Sequence, residues 1–165
     1  MAAAPGASVR RDAGTSVRDE RPCRRRDART SVETSAVNVR VLLCHDRAVL
    51  RRGLERLLQG ADGIEVVAAV ADGGAGVSAS ARLRPDVVLM DLAMPRIDAV
   101  LTTRRIVALE PRTRVLILTG FADPAQLRDA MDAGAAGYVL KDAPPEELLA
   151  AVRSVAERPG WAGAG

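Results

Sequence analysis

Cysteine, lysine, histidine and aromatic residues are all scarce in this chain of 165 residues. One Phe, one Tyr and one Trp are its only aromatic side chains, so the core has to be built from aliphatic residues. Two cysteines are too few for a disulfide scaffold or a four-thiolate zinc site, which favours a reduced, cytoplasmic setting. No apolar run approaches the roughly 18 residues of a transmembrane helix, so we expect no membrane-spanning segment.

The net charge of +3 comes entirely from the first 38 residues. This leader carries 8 Arg and 5 acidic residues, whereas residues 39–165 carry 16 basic and 16 acidic residues. The leader lacks apolar periodicity and is rich in Arg, Ala, Ser and Thr, so we predict that it is disordered. The balanced charge of the remainder predicts that this chain alone binds neither specific DNA sequences nor membranes.

Short apolar runs alternate with helical patterns from residue 39 onward. The runs begin at Val39, Ile64, Val87, Arg114 and Gly137. The helical patterns lie at about Ala48–Leu58, Ala75–Leu83, Val100–Leu109, Pro124–Ala133 and Pro145–Ala156. Apolar runs without polar alternation are typical of parallel strands that are buried on both faces. We therefore predict an α/β fold with a doubly wound, five-stranded parallel sheet and helices on both faces.

Four polar side chains stand where the predicted strands end. Asp46 follows the first strand, Asp91 ends the third, Thr119 ends the fourth and Lys141 follows the fifth. Each of them alone is more readily explained as a polar cap that closes a strand. Ligands of such sheets bind beyond the carboxyl ends of the strands, so the four together favour a single site.

The chemistry of this set favours a divalent cation and a phosphoryl group. Two carboxylates about 4 Å apart repel by about 4 kcal/mol at an effective dielectric constant of about 20. Mg²⁺ relieves that repulsion and also accepts phosphate oxygens, while an Asp can form an aspartyl phosphate. Lys141 is the only lysine among 24 basic residues, and its compact ammonium suits a phosphoryl oxygen better than a guanidinium does.

The stretches that carry these residues resemble the response-regulator receiver domain of bacterial two-component signalling. The matching stretches are Val39–Leu43 with Asp46, Arg84–Asp91 with Met94-Pro95, Val115–Thr119 and Gly134–Leu148. The resemblance covers about residues 39–158 and is closest to receivers of regulators with a LuxR-type helix-turn-helix output domain. It implies the flavodoxin-like strand order 2-1-3-4-5, a sensor histidine kinase as phosphoryl donor and Mg²⁺ as the ion.

The resemblance also implies a role for each site residue. Asp91 would be the phosphoacceptor, and Asp46, Asp91 and the backbone carbonyl of Ala93 would bind the metal. Thr119 and Lys141 would contact the phosphoryl group. Thr119 and Tyr138 would form the switch that responds to phosphorylation. The ring of Tyr138 would repack as Thr119 moves toward the phosphate; otherwise Tyr138 is a half-buried strand aromatic. No enzyme activity is expected beyond self-phosphorylation from small phosphodonors and autodephosphorylation.

Two positions depart from the family pattern. His45 stands where the family has the first of two adjacent acids, so it marks either neutral drift or weakened phosphorylation. Two nearby carboxylates favour its charged form unless burial keeps it neutral. Zinc ligation by one His without a thiolate cluster is disfavoured. Ala99 stands where the family usually has Gly, and a positive φ there would strain the start of a helix.

The predicted organisation is a leader over 1–38, a receiver over 39–158 and a short tail over 159–165. That tail is too short for an output domain, so we expect a stand-alone receiver or a truncated transcription regulator. Two other hypotheses stay open. One is a phosphorylation-independent receiver-like interaction or dimerisation module, which His45 supports. The other is an aspartyl-phosphate hydrolase, which Ala93 disfavours because such enzymes usually have an Asp there.

A homodimer is a further expectation, through the outer face of the first and last helices. The apolar residues considered for that face are Leu50, Leu54, Leu57, Leu148, Leu149 and Val152. Leucines at such positions more often point into the core, and that alternative is the stronger one.

Overall fold

The computed structural model describes residues 37–95, 98–120 and 123–157, and within them five strands alternate with five helices. The strands are β1 (Val39–Cys44), β2 (Ile64–Val70), β3 (Val87–Asp91), β4 (Arg114–Thr119) and β5 (Gly137–Leu140). The helices are α1 (Ala48–Gln59), α2 (Gly73–Leu83), α3 (Ala99–Leu109), α4 (Pro124–Asp132) and α5 (Pro145–Glu157). Every predicted element is present. The predicted tail, and the predicted leader apart from Val37 and Asn38, lie outside the described residues.

The five strands form one parallel sheet in the order β2-β1-β3-β4-β5, which confirms the predicted fold and strand order. The register pairs Cys44 with Met90 across β1 and β3, and Thr119 with Leu140 across β4 and β5. The last residues of these strands therefore lie along one edge. Each parallel connection needs a crossover, and the intervening helices supply it.

Two apolar clusters, one on each face of the sheet, explain why the strands lack polar alternation. Leu42 and Met90 pack with residues of α2, α3 and α4. Leu43 and Leu89, their neighbours in sequence, pack with residues of α1 and α5. Because successive side chains of a strand point to opposite faces, a strand covered on both sides needs apolar residues at nearly every position.

The apolar residues considered for a dimer face are mostly core residues. Leu148 and Val152 are buried, while Leu54, Leu57 and Leu149 are partly buried against the cluster on the α1 and α5 face. Leu50 is the exception, because 42% of it is exposed. These two helices therefore use their leucines to cover the sheet.

An aspartate caps the amino end of three of the helices. Asp72, Asp98 and Asp123 each accept hydrogen bonds from backbone N–H groups of the following turn. Such caps satisfy donors that have no partner inside the helix. Ala99 is the first residue of α3 and does not have a positive φ, so the strain considered for that position is absent.

Candidate functional site

Asp91 is the centre of a polar cluster at the carboxyl edge of the sheet. It is the last residue of β3 and only 1% exposed. Its Oδ1 lies 2.8 Å from Nζ of Lys141 and accepts a 3.0 Å hydrogen bond from the backbone N–H of Ala93. A buried carboxylate requires partners of this kind, since an isolated buried charge is strongly disfavoured. The structure thus brings together two residues that lie 50 positions apart in the chain.

His45 and Asp46 approach Asp91 from the neighbouring strand. Both follow β1, whose last residue, Cys44, is paired with Met90 of β3. Nε2 of His45 lies 3.3 Å from Oδ2 of Asp91, and its Nδ1 lies 3.4 Å from Oδ1 of Asp46. His45, Asp46 and Asp91 each place one potential ligand atom within 4.8 Å of the others. The two carboxylates therefore share a site that one cation can occupy.

The imidazole of His45 is neutral in this setting. His45 is 1% exposed, and burial lowers its pKa below the ordinary histidine value, although Asp91 opposes that shift. Lys141 lowers the pKa further, while Asp46 raises it. Of the two alternatives considered from the sequence, the structure supports the one in which burial keeps the ring neutral, because desolvation outweighs the two carboxylates. The backbone N–H of Arg47 donates to Nδ1 at 3.1 Å, which places the single ring proton on Nε2.

Thr119 and Tyr138 also lie at this edge, on the same face of the sheet. Thr119 is buried at the end of β4, one position beyond Leu118, which is paired with Asp91. Tyr138 is paired with Ile117, two positions before Thr119, and alternate residues of a strand share a face. The ring of Tyr138 is half exposed. The geometry is compatible with the predicted switch pair.

The sequence gives no direct indication of one feature of the site. Arg51, in the first half of α1, donates through Nη1 to the carbonyl oxygens of His45 at 2.8 Å and Asp46 at 3.2 Å. It thereby ties the loop after β1 to the helix that follows. The only signal in the sequence for this role of Arg51 is that it is a basic residue one turn into the first helix.

A family comparison decides the identity of the domain. The sequence model of the response regulator receiver domain matches residues 41–153. The chain belongs to the response-regulator receiver family. The resemblance found in the sequence is thereby confirmed, and receiver domains are phosphoacceptor signalling modules rather than classical enzymes.

Similar proteins are regulators of the NreC, NarL and LuxR groups. The oxygen regulatory protein NreC of Staphylococcus haemolyticus (strain JCSC1435) is 40% identical over 118 residues, which are 71% of this chain and 54% of NreC. The receiver of the putative response regulator NarL from Mycobacterium tuberculosis superposes with a TM-score of 0.70 at 33% identity, over 74% of this chain and 98% of that one. A LuxR-family response regulator from Aurantimonas sp. SI85-9A1 gives 0.69 at 34% identity, over 72% and 85%. This chain spans about half the length of the curated relatives that it matches.

The donor set of this receiver fits a divalent cation. The family typically binds Mg²⁺, which takes carboxylate and carbonyl oxygens. Asp46 and Asp91 each offer a carboxylate oxygen as a potential ligand, and Ala93 lies in the turn directly after Asp91. Cys44 adds no ligand, because burial raises the pKa of its thiol to about 12. Among the residues that the structure describes, no helix is long and apolar enough to cross a membrane.

Proposed function

We propose that this receiver accepts a phosphoryl group on Asp91 from a sensor histidine kinase, as a step of two-component signalling in the cytoplasm. The observation that carries the proposal is the buried Asp91 carboxylate, which lies 2.8 Å from Lys141 and within 4.8 Å of ligand atoms of His45 and Asp46. A purely structural ion pair would account for Lys141. It would not account for a second carboxylate beside the first.

The proposed reaction is an in-line displacement at phosphorus. A carboxylate oxygen of Asp91 forms a bond to phosphorus while the bond between phosphorus and the donor's imidazole nitrogen breaks, and that nitrogen takes up a proton. Such transfers depend mainly on positioning and on charge stabilisation. Lys141 would neutralise one phosphoryl oxygen, and the hydroxyl of Thr119 would donate to another. Mg²⁺ held by Asp46, Asp91 and the carbonyl of Ala93 would supply the remaining positive charge.

The proposed output is a rearrangement of Thr119 and Tyr138. Movement of the Thr119 side chain toward the phosphoryl group would free space on its face of the sheet, and the half-exposed ring of Tyr138 lies on that face. If the ring of Tyr138 moved into that space and became buried, the surface formed by β5 would change. We propose that this change favours a homodimer of the receiver.

Phosphodonor treatment tests the site assignment directly. Intact-mass analysis after incubation with acetyl phosphate and Mg²⁺ should show one phosphoryl adduct on the wild type and none on Asp91→Asn. Asp62→Asn removes an exposed carboxylate near the start of β2 and should leave the adduct intact, which makes it the matched control. An adduct on Asp91→Asn would refute the assignment, and a wild type without any adduct would refute the proposed function.

The second candidate function is a phosphorylation-independent interaction or dimerisation module. His45 favours it, because this residue replaces an acid beside the phosphoacceptor position. Light scattering with and without phosphodonor separates the two functions. A dimer that forms only after phosphorylation supports the first, whereas a dimer of unchanged affinity supports the second.

Regulation of transcription is proposed for the protein as a whole rather than for this domain. The relatives are response regulators, and this chain aligns with about half of their length. We propose that an output domain of the LuxR type binds DNA, whereas the chain of 165 residues does not select a DNA sequence. Gel shifts with specific and scrambled duplexes at physiological salt test this. A sequence preference that survives removal of residues 1–38 would contradict it.

A further inference from the structure

Nε2 of His45 is a buried polar atom that no hydrogen bond explains. It has no partner in the described part of the chain, although Oδ2 of Asp91 lies only 3.3 Å away. Ser80 Oγ is the only other buried side-chain polar atom there in this condition. Buried polar groups are nearly always paired, so an exception at a cluster of potential ligands indicates a bound ion or a function. His45 is 1% exposed and is thus held in place by its surroundings.

The distance between Nε2 and Asp91 suits two ligands of one transition ion. Ligands at about 2.1 Å from an ion lie about 3.0 Å apart at a right angle and about 3.4 Å apart at the tetrahedral angle. The observed 3.3 Å falls between these values. Asp46 belongs to the same cluster, since one ligand atom from each of His45, Asp46 and Asp91 lies within 4.8 Å of the other two. One imidazole and two carboxylates form a three-residue ligand set that leaves a position open for a phosphoryl oxygen.

We propose that His45 is a direct ligand of the cation site and shifts its preference from Mg²⁺ toward first-row transition ions that accept imidazole, such as Co²⁺ and Zn²⁺. This inference rests on the cation site of the proposed function. Mg²⁺ prefers oxygen ligands. Because His45 stands where the family has an acidic residue, this receiver has one carboxylate fewer around the cation site. Imidazole is a good ligand for the later first-row ions.

The surroundings of the ring can accommodate the proton that ligation displaces. Binding through Nε2 requires the ring proton to sit on Nδ1, which lies 3.4 Å from Oδ1 of Asp46, a suitable acceptor. The backbone N–H of Arg47 now donates to Nδ1, and it retains a second acceptor in the same Asp46 oxygen at 2.9 Å.

Metal titrations of matched variants test the proposal without any phosphodonor. We would titrate the metal-free full chain with Mg²⁺, Co²⁺ and Zn²⁺ in competition with a chromophoric chelator. A Cys23→Ser background removes the only other cysteine, since Cys44 is buried and protonated. The ratio of the Mg²⁺ to the Zn²⁺ dissociation constant should be at least about tenfold larger in this protein than in its His45→Asp and His45→Asn variants. His45→Asp should also bind Mg²⁺ more tightly. Equal ratios in all three proteins would overturn the proposal.

The single histidine permits a second test that needs no variant. In protein labelled with ¹⁵N-histidine, every imidazole signal belongs to His45. Saturation with diamagnetic Zn²⁺ should shift the Nε2 resonance to the position of a metal-bound nitrogen and leave the proton on Nδ1. Unchanged nitrogen resonances would make His45 a hydrogen-bond donor to Asp91 and would overturn the proposal. Phosphorylation of Asp91 is measured separately, so failure of the proposed function is distinguishable from failure of this inference.

Discussion

The two ends of the β-sheet both carry charged and polar side chains, but they use them differently. At the amino-terminal end, Nη1 of Arg40 donates to the carbonyl of Leu83 at 2.7 Å, and its backbone N–H donates to Asp86 at 2.8 Å. The hydroxyl of Thr113 donates to the carbonyl of Pro85 at 2.8 Å. These groups are bound to the backbone and hold the chain turns in place, and the 3.8 Å pair of Arg84 and Glu110 at this end has an exposed arginine.

At the carboxyl end, side chains contact one another instead. Asp91 has Lys141 on one side and His45 on the other, and Asp46 lies beyond His45. Such an arrangement concentrates charge where a ligand can use it, whereas Arg40 and Thr113 at the amino-terminal end use their donors on backbone carbonyls. The comparison teaches that function in this fold depends on which partners the polar groups have rather than on how many there are. Proteins commonly accept lower stability at such sites.

The largest effect that would sharpen this contrast is expected for Lys141→Met. Removing a charge that stabilises the transferring group should slow phosphorylation of Asp91 about 10²–10³-fold. Lys141→Arg should restore little, because the broad guanidinium replaces a compact ammonium. The rate of adduct formation by intact mass, at fixed phosphodonor and saturating metal, is the measurement. A Lys141→Met protein that reacts at the wild-type rate would show that Lys141 is only a structural partner of Asp91.

A smaller effect is expected from packing beneath the carboxyl end. A Cβ atom on Gly76 would lie 2.8 Å from Sγ of Cys44, the residue just before His45. Gly76→Ala should therefore destabilise the domain by about 1–3 kcal/mol, as overpacked cores do. The free energy of unfolding from denaturant titration is the readout.

Two matched variants define the origin of that loss. Gly53→Ala places the same methyl group in α1, where nothing lies within 4 Å of it, and should stabilise the domain by about 0.5–1 kcal/mol. When Cys44→Ala is combined with Gly76→Ala, it removes the clashing sulfur and should restore part of the stability that Gly76→Ala loses. Equal effects of the two glycine substitutions would argue against close packing at Gly76.

The smallest effect concerns the amino-terminal end. Thr113→Val preserves the shape of a buried side chain but removes the donor to the carbonyl of Pro85, so the domain should lose about 1 kcal/mol of stability. Its phosphorylation rate should stay at the wild-type value. Thr119→Val makes the same change at the other end of the sheet and should slow phosphorylation. If Thr113→Val slowed phosphorylation as much as Thr119→Val, the division between the two ends would break down.

The predicted elements were correct because each depends on local pattern. Runs such as Val87–Asp91 need only their own residues to indicate a strand covered on both faces, and all five of these residues are buried. Asp123 and Pro124 indicate a helix start through hydrogen bonding and a restricted φ, and α4 begins there. The leucines of α1 and α5 are mostly core residues, which was the stronger of the two alternatives that the sequence offered.

The sequence by itself determined the fold class, the strand ends and the chemical types that meet there. These follow from hydropathy period and from the rule that parallel strands end at a common edge. Only the tertiary structure decided the state of His45. Two adjacent carboxylates favour a charged ring and burial favours a neutral one, and the balance depends on how much water the surrounding strands exclude. Distances of 3.3 Å to Asp91 and 3.4 Å to Asp46 likewise arise from strand register, which no single segment encodes.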